Sequence, residues 1–192
     1  AIEVWSLPDM VQVAEWTSNR TPIPQQVRIL QNTLAKIHED CKKAGHKGEP
    51  EIYYTFENNT MGEAALQTIM DIGEENFQGQ LLNEPRKTGM VRIRRGLNTN
   101  GRTKAAACAK LKSLIESNKL HIRSKMLVKQ LKFFVATGDG FKAKTGEHDD
   151  CVMSTILCVR LMQMVTNWDD RVGELMRDVF DRSEEHTSEL QS

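Results

Sequence analysis

The sequence lacks the features that would place it in a membrane or in an oxidising compartment. No run approaches the ~20 consecutive apolar residues that a transmembrane helix needs, and the first residues do not have the basic-then-apolar order of a signal peptide. Its four cysteines include no C-x-x-C pair, which favours reduced, core-packed thiols over a zinc site. We therefore expect a cytosolic protein with free cysteines.

Acidic residues are missing from one long segment. From Arg86 to Lys112 there are nine Lys and Arg and no Asp or Glu, although the formal net charge of the whole chain is zero. Such a concentration of positive charge indicates a polyanionic partner. The alternative is a set of solvated helix faces, which produces the same composition.

The hydrophobic pattern predicts strands and helices in alternation. The predicted elements are a β-hairpin of 1–7 and 11–18, helices over 24–44, 60–72, 103–117, 124–136 and from 149 onward, and strands at 51–57, 80–84, 119–123 and 140–144. The connections between these predicted strands and helices are short. Such an alternation predicts a single α/β domain, in which helices pack on a sheet.

Two adjacent carboxylates, Asp149 and Asp150, directly precede a long apolar stretch. Asp is a preferred helix N-cap, so capping explains one of the pair and leaves the other without a role. The helix dipole keeps both ionised, and two adjacent anions are stabilised by a cation. With oxygen ligands alone, that ion is Mg²⁺ or Mn²⁺.

A third carboxylate, Glu57, follows the run "EIYYTF" and precedes Asn58-Asn59. Active sites of α/β sheets lie beyond strand ends, which makes Glu57 a candidate ligand. The alternative is an ordinary surface glutamate, or a local partner for the Asn58 and Asn59 backbone.

The stretches "YYTFENNTMGEA" and "TGEHDDCVMSTILCVR" resemble the nuclease domain of the large terminase subunit, the DNA-packaging motor of tailed bacteriophages, in its T-even-like myovirus form. "SNRTPIP" and "RTKAAACAKLKSLIESNKLHI" extend the likeness over nearly all of residues 1–181. The resemblance implies a ribonuclease H-like mixed sheet flanked by helices. It also implies a metal-dependent endonuclease that cuts concatemeric double-stranded DNA during packaging.

By that resemblance Glu57, Asp149 and Asp150 are catalytic metal ligands of a two-metal Mg²⁺ or Mn²⁺ site. Which aspartate of the "HDD" element is the main ligand stays open, and His148 is a possible orienting group. The family's first catalytic aspartate lies on a core strand ahead of the hairpin. That strand is missing here, so we expect an incomplete site and little cleavage by this chain alone.

The resemblance also implies partners. Five basic side chains are expected to hold the duplex backbone without reading its sequence. These residues are Arg92, Arg94, Arg95, Arg102 and Lys104. In the full system the partners are the terminase ATPase domain, the portal and the small subunit, in the cytoplasm of the infected bacterial host and without a membrane.

The final segment, "RSEEHTSELQS" at 182–192, looks like a translated sequencing-adapter oligonucleotide and is excluded from fold reasoning. Two other functions compete with the nuclease. One is a non-catalytic DNA-binding module whose acids only cap helices. The other is a ribonuclease H-like resolvase or integrase, which shares the chemistry and cuts branched or end-specific substrates.

Overall fold

A computed structural model of the chain describes residues 1–84, 95–138, 140–168 and 173–177. The elements in chain order are β1 (Ile2–Ser6), β2 (Val11–Trp16), α1 (Ile23–Lys43), β3 (Tyr53–Tyr54), α2 (Thr60–Ile72), a short 3-10 helix (Glu74–Asn76), β4 (Gln80–Leu81), α3 (Gly101–Glu116), α4 (Lys125–Phe133), β5 (Phe134–Thr137), β6 (Gly140–Ala143) and α5 (Asp150–Trp168). Residues 173–177 are also helical.

The chain forms two compact units. The central unit is Ser18–Thr99, and the terminal unit is Ala1–Thr17 with the described residues from Asn100 onward. The expectation of one nuclease domain over 1–181 stays a prediction.

The central unit packs α1 and α2 with a short parallel pair of strands. In that pair Tyr53 lies opposite Gln80 and Tyr54 opposite Leu81. Helix α1 has proline at its first turn and Lys42 and Lys43 in its last turn, where positive charge complements the helix dipole. The core of this unit is small, and one aromatic pair, Tyr54 and Phe77, stacks with ring centroids 6.0 Å apart. Its buried residues are Val27, Leu34, Tyr54, Ile69, Phe77 and Leu81.

In the terminal unit α3, α4 and β1 pack against α5, and β6 packs against α3. Strands β1 and β2 are antiparallel, and so are β5 and β6. Helical spacing in the apolar stretch after Asp150 predicts that Val152, Ile156, Val159 and Met162 pack in the core, and all four are buried. Leu157 is only half-buried and does not belong to that face.

One predicted strand is almost absent, and one predicted helix is too long at its C-terminal end. The strand at 119–123 is reduced to one parallel bridge between His121 and Val11, fixed by backbone hydrogen bonds in both directions. The helix over 124–136 ends at Phe133, and Phe134–Thr137 continues as β5 because β6 pairs with it. In both places long-range pairing overrides the local pattern.

The fold class is confirmed at its coarse level: a mixed α/β structure with helices and small sheets of parallel and antiparallel strands. Across the described ranges, no helix combines the length and apolar character that crossing a membrane requires. All four cysteines are free thiols, of which Cys108 and Cys151 are buried and Cys41 and Cys158 are half-buried, so the expectation of core-packed thiols holds for two of them.

Candidate functional site

Asp149 lies at the start of α5. Its carbonyl oxygen accepts the backbone N–H of Met153 at 2.8 Å, which is the first hydrogen bond of the helix. Its carboxylate, however, does not cap that helix. Oδ2 instead accepts the backbone N–H of Ala143 at 3.2 Å and so connects the end of β6 to the start of α5.

The capping of α5 is performed by a residue that the sequence did not indicate. Gln130, buried on α4, accepts the backbone N–H of Cys151 at 2.8 Å and that of Val152 at 3.4 Å through Oε1. The prediction that one aspartate satisfies these N–H groups with its side chain is therefore wrong. A glutamine 21 residues away along the chain does so.

Asp150 is the first residue of α5 and is exposed. Among the described residues its carboxylate has no hydrogen bond or ion pair, and His148, also exposed, bonds neither aspartate. The helix dipole stabilises an anion at this position. The carboxylates of Asp149 and Asp150 are therefore not used to cap the helix.

Glu57 lies in the central unit, three residues beyond β3. The predicted strand over 51–57 is regular only at Tyr53–Tyr54, and Glu57 itself forms an isolated parallel bridge with buried Leu97. The N–H of Leu97 donates to the Phe56 carbonyl at 2.9 Å, and the N–H of Asn58 donates to the Leu97 carbonyl at 2.8 Å. The backbone on both sides of Glu57 is therefore fixed.

Asn59 fixes the Glu57 side chain. Its Nδ2 donates to Glu57 Oε2 at 2.9 Å, while its Oδ1 accepts the N–H of Gly62 and caps α2. The sequence "TMGE" from Thr60 to Glu63 predicts a capping box with Thr60 as the N-cap, but the N-cap is Asn59, one residue earlier. The alternative interpretation of Glu57 is correct in part, because its partner is the Asn59 side chain.

Close packing at Gly62 also holds Glu57. A Cβ at position 62 would lie 1.9 Å from the Glu57 carbonyl oxygen, far inside van der Waals distance. Only glycine lets the first turn of α2 approach the chain at Glu57. This close approach sets the Glu57 backbone directly beside the N-terminus of α2.

The basic residues divide into three groups. Arg92 and Arg94 lie outside the described residues. Arg95 belongs to the central unit, where its Nη1 pairs with Glu74 Oε2 at 2.6 Å and its carbonyl accepts Asn58 Nδ2 at 2.7 Å. Its guanidinium is therefore partly engaged within the fold.

Arg102 and Lys104 both lie in the first turn of α3, so the helix that the sequence predicts from residue 103 begins two residues earlier and includes Arg102. The helix begins at Gly101 because Asn100 and Thr103 form a reciprocal capping box. Arg102 is exposed, and Lys104 Nζ lies over the Phe134 ring, 5.5 Å from its centroid. Both belong to the terminal unit, as do Asp149 and Asp150.

The carboxylates fit Mg²⁺ or Mn²⁺ by their chemistry. Each supplies oxygen donors, and in the described part of the chain no hydrogen bond is found to the second oxygen of Glu57 or of Asp149. Hard divalent ions prefer such donors. No model of a known protein family matches the chain.

Proposed function

We propose that the chain is the metal-dependent endonuclease part of a phage DNA-packaging terminase, which cuts concatemeric double-stranded DNA. The observation that carries this proposal is the capping of α5 by Gln130. Because that buried amide supplies the acceptor that the first turn needs, the two aspartates are not required as caps. Their charge is then available for a ligand, as the resemblance implies.

In this proposal Glu57 of the central unit and the Asp149–Asp150 pair of the terminal unit are each ligands for Mg²⁺ or Mn²⁺, as the resemblance implies. Such ions, when bound, would supply activation of a water molecule and charge stabilisation of the leaving oxygen of the phosphodiester. The protein supplies orientation: Asn59 holds one oxygen of Glu57, and the Ala143 N–H holds one oxygen of Asp149. The architecture proposed for the whole is a ribonuclease H-like mixed sheet.

The basic side chains supply binding. Arg102 and Lys104, at the start of α3, would meet phosphates where the helix dipole also attracts anions. Arg92 and Arg94 are proposed to join them, and Arg95 after its pair with Glu74 opens. Contacts of this kind bind DNA without sequence preference, which suits cleavage during packaging.

The proposed partners are those of the family. They are double-stranded DNA, the terminase ATPase domain, the portal and the small subunit, in the cytoplasm of the infected bacterium.

A triple substitution of Arg92, Arg94 and Arg95 by Ala should weaken binding to unrelated duplexes by similar factors. The slope of log K against log[salt] should become shallower by about 0.9 for each phosphate that the variant no longer neutralises.

The first test is Mn²⁺ binding by isothermal titration calorimetry. Asp149→Asn with Asp150→Asn, and separately Glu57→Gln, should each weaken Mn²⁺ binding roughly 10-fold or more. The matched control is Asp71→Asn, an exposed aspartate in α2. Equal affinities in all four proteins would favour a non-catalytic DNA-binding module.

The second test is cleavage. A version extended at its N-terminus by the family's first strand should nick and linearise plasmid DNA in Mn²⁺ or Mg²⁺. The same extended protein with Asp149→Asn and Asp150→Asn should not. Cleavage by that double variant would remove the aspartate pair from the active site.

A further inference from the structure

A second group of acidic residues lies inside the terminal unit. Glu3 on β1 and Glu15 on β2 are directly opposite each other in the hairpin, and Cys151 is in the first turn of α5. One carboxylate oxygen of each glutamate and the Cys151 Sγ all lie within 4.8 Å of one another. Two strands and a helix therefore bring three potential metal ligands to one point.

Each of the two carboxylates has one oxygen that is buried without a hydrogen-bond donor. Glu3 is only 8% exposed. Its Oε1 and the Oε2 of Glu15 are both buried, and neither accepts a hydrogen bond from any donor in the described ranges. Two facing acids in such surroundings cannot both be ionised without a cation between them.

The remaining oxygen of Glu3 is held by a fixed amide. Gln12 Nε2 donates to Glu3 Oε2 at 2.7 Å. The Oε1 of the same Gln12 accepts the backbone N–H groups of Arg123 at 3.0 Å and Ser124 at 2.8 Å. A carboxylate oriented from behind by a hydrogen-bonded partner, with its other oxygen turned to the cluster, is typical of a metal ligand.

We propose that Glu3, Glu15 and Cys151 bind one divalent transition-metal ion of the zinc type. A thiolate with two carboxylates selects Zn²⁺ or Co²⁺ over Mg²⁺, which takes oxygen ligands only. Glu15 as a whole residue is half-buried, although its Oε2 is buried. The three protein ligands leave the fourth position of a tetrahedral site for a water molecule. The ion would join the hairpin to the start of α5.

This site is separate from the one proposed for DNA cleavage and does not rest on it. Its ligands include sulfur, whereas Glu57, Asp149 and Asp150 offer oxygen alone. In the metal-free protein a proton takes the place of the ion, because burial raises the pKa of Glu3 to about 8 and Glu15 contributes to that rise. A proton without any metal is the competing explanation for the cluster.

The experiment uses the full chain, reduced and freed of metal with a chelator, and then titrated with Co²⁺. A thiolate ligand produces a near-ultraviolet thiolate-to-cobalt charge-transfer band, which carboxylates alone do not. We expect this band to saturate at one Co²⁺ per chain and to disappear when one equivalent of Zn²⁺ is added.

Three variants locate the signal. Cys151→Ser should abolish the band, and Glu15→Gln should weaken Zn²⁺ binding at least about 10-fold. Cys41→Ser, which changes a half-buried thiol of the central unit, should leave the band intact. The Asp149→Asn with Asp150→Asn variant should also keep it, which separates this site from the proposed nuclease centre.

The proposal is overturned if the parent protein develops no band, or if the band persists in Cys151→Ser. Either result would mean that the cluster holds a proton only. Circular dichroism in chelator checks that each variant folds. If Cys151→Ser does not fold, the affinity of Glu15→Gln decides the question.

Discussion

The terminal unit contains two pairs of acidic residues in opposite surroundings. Asp149 and Asp150 are neighbours in sequence at the solvent-facing start of α5, whereas Glu3 and Glu15 are neighbours across a hairpin and face the same helix from its buried side. Each pair lies near a buried glutamine. Gln130 removes the need for the aspartates as caps, while Gln12 bonds Glu3 directly.

The difference shows how a polar side chain close to an acid can have two effects. Gln130 takes the helix N–H groups and so leaves charge exposed for a ligand. Gln12 donates to only one oxygen of Glu3 and leaves the other without a donor, which favours a proton or an ion. Burial, more than proximity in sequence, is what raises the pKa of Glu3.

The largest expected effect comes from placing an acidic side chain without a partner on the buried face of α5. Ile156 is fully buried, so Ile156→Asp should lower the free energy of unfolding by about 3–5 kcal/mol because the new charge has no compensating group. Leu157→Asp, at a half-buried position, is the matched control and should cost clearly less. Urea denaturation measures both, and equal losses would contradict the assigned face of α5.

A smaller effect is expected from the pH dependence of Glu3 in chelator. The folded state keeps a proton with a pKa of about 8, against an ordinary value of 4.5, so the unfolded chain releases that proton first. The resulting stability is fully present below pH 4.5 and is lost as pH rises through 8, by at most about 1.4 kcal/mol per pH unit.

Glu3→Gln should flatten that dependence and make the protein more stable than its parent at pH 8 and above. Thermal unfolding from pH 5 to pH 9 provides the measurement. A parent whose stability is constant over this range would show that the buried pair does not hold a proton.

Removing the cap should cost less again. Gln130→Met keeps the approximate length of the side chain but leaves the N–H groups of Cys151 and Val152 without their acceptor. The expected loss is about 1–3 kcal/mol. Gln67→Met, on an exposed face of α2, is the control and should be nearly neutral. If both substitutions have the same effect on the denaturation midpoint, the Gln130 side chain does not stabilise the N-terminus of α5.

The smallest expected effect belongs to Asp150→Asn. The Asp150 carboxylate contributes to stability only through its favourable interaction with the helix dipole. Its neutralisation should therefore change the free energy of unfolding by less than about 1 kcal/mol. A loss as large as that of Gln130→Met would mean that Asp150 has a structural role after all. Urea denaturation at low and high salt also tests whether the small effect is electrostatic.

Much of the fold could be predicted from local pattern. The hairpin around Pro8-Asp9, helix α1 and the buried face of α5 follow from alternation and helical spacing, which are properties of neighbouring residues. The single bridge at His121 and the strand at Phe134–Thr137 depend on partners distant in sequence, and there the local pattern was misleading.

The candidate site divides in the same way. The doubled aspartate and Glu57 are visible in sequence because their setting is local. The capping role of Gln130 and the opposition of Glu3 and Glu15 depend on tertiary packing and on hairpin register, so no motif indicates them. Asn59 is an intermediate case, since it lies one residue before the cap that the pattern predicted.

The close approach at Gly62 has a consequence for how this protein can vary. With the Glu57 carbonyl 1.9 Å from where a Cβ would be, even alanine must displace backbone that Leu97 pairs on its other side. A saturation library at position 62, selected for folded protein, should therefore recover glycine almost alone, whereas the neighbouring exposed Met61 should accept many residues. Position 62 would then act as a marker by which diverged sequences with the same Glu57 geometry can be identified.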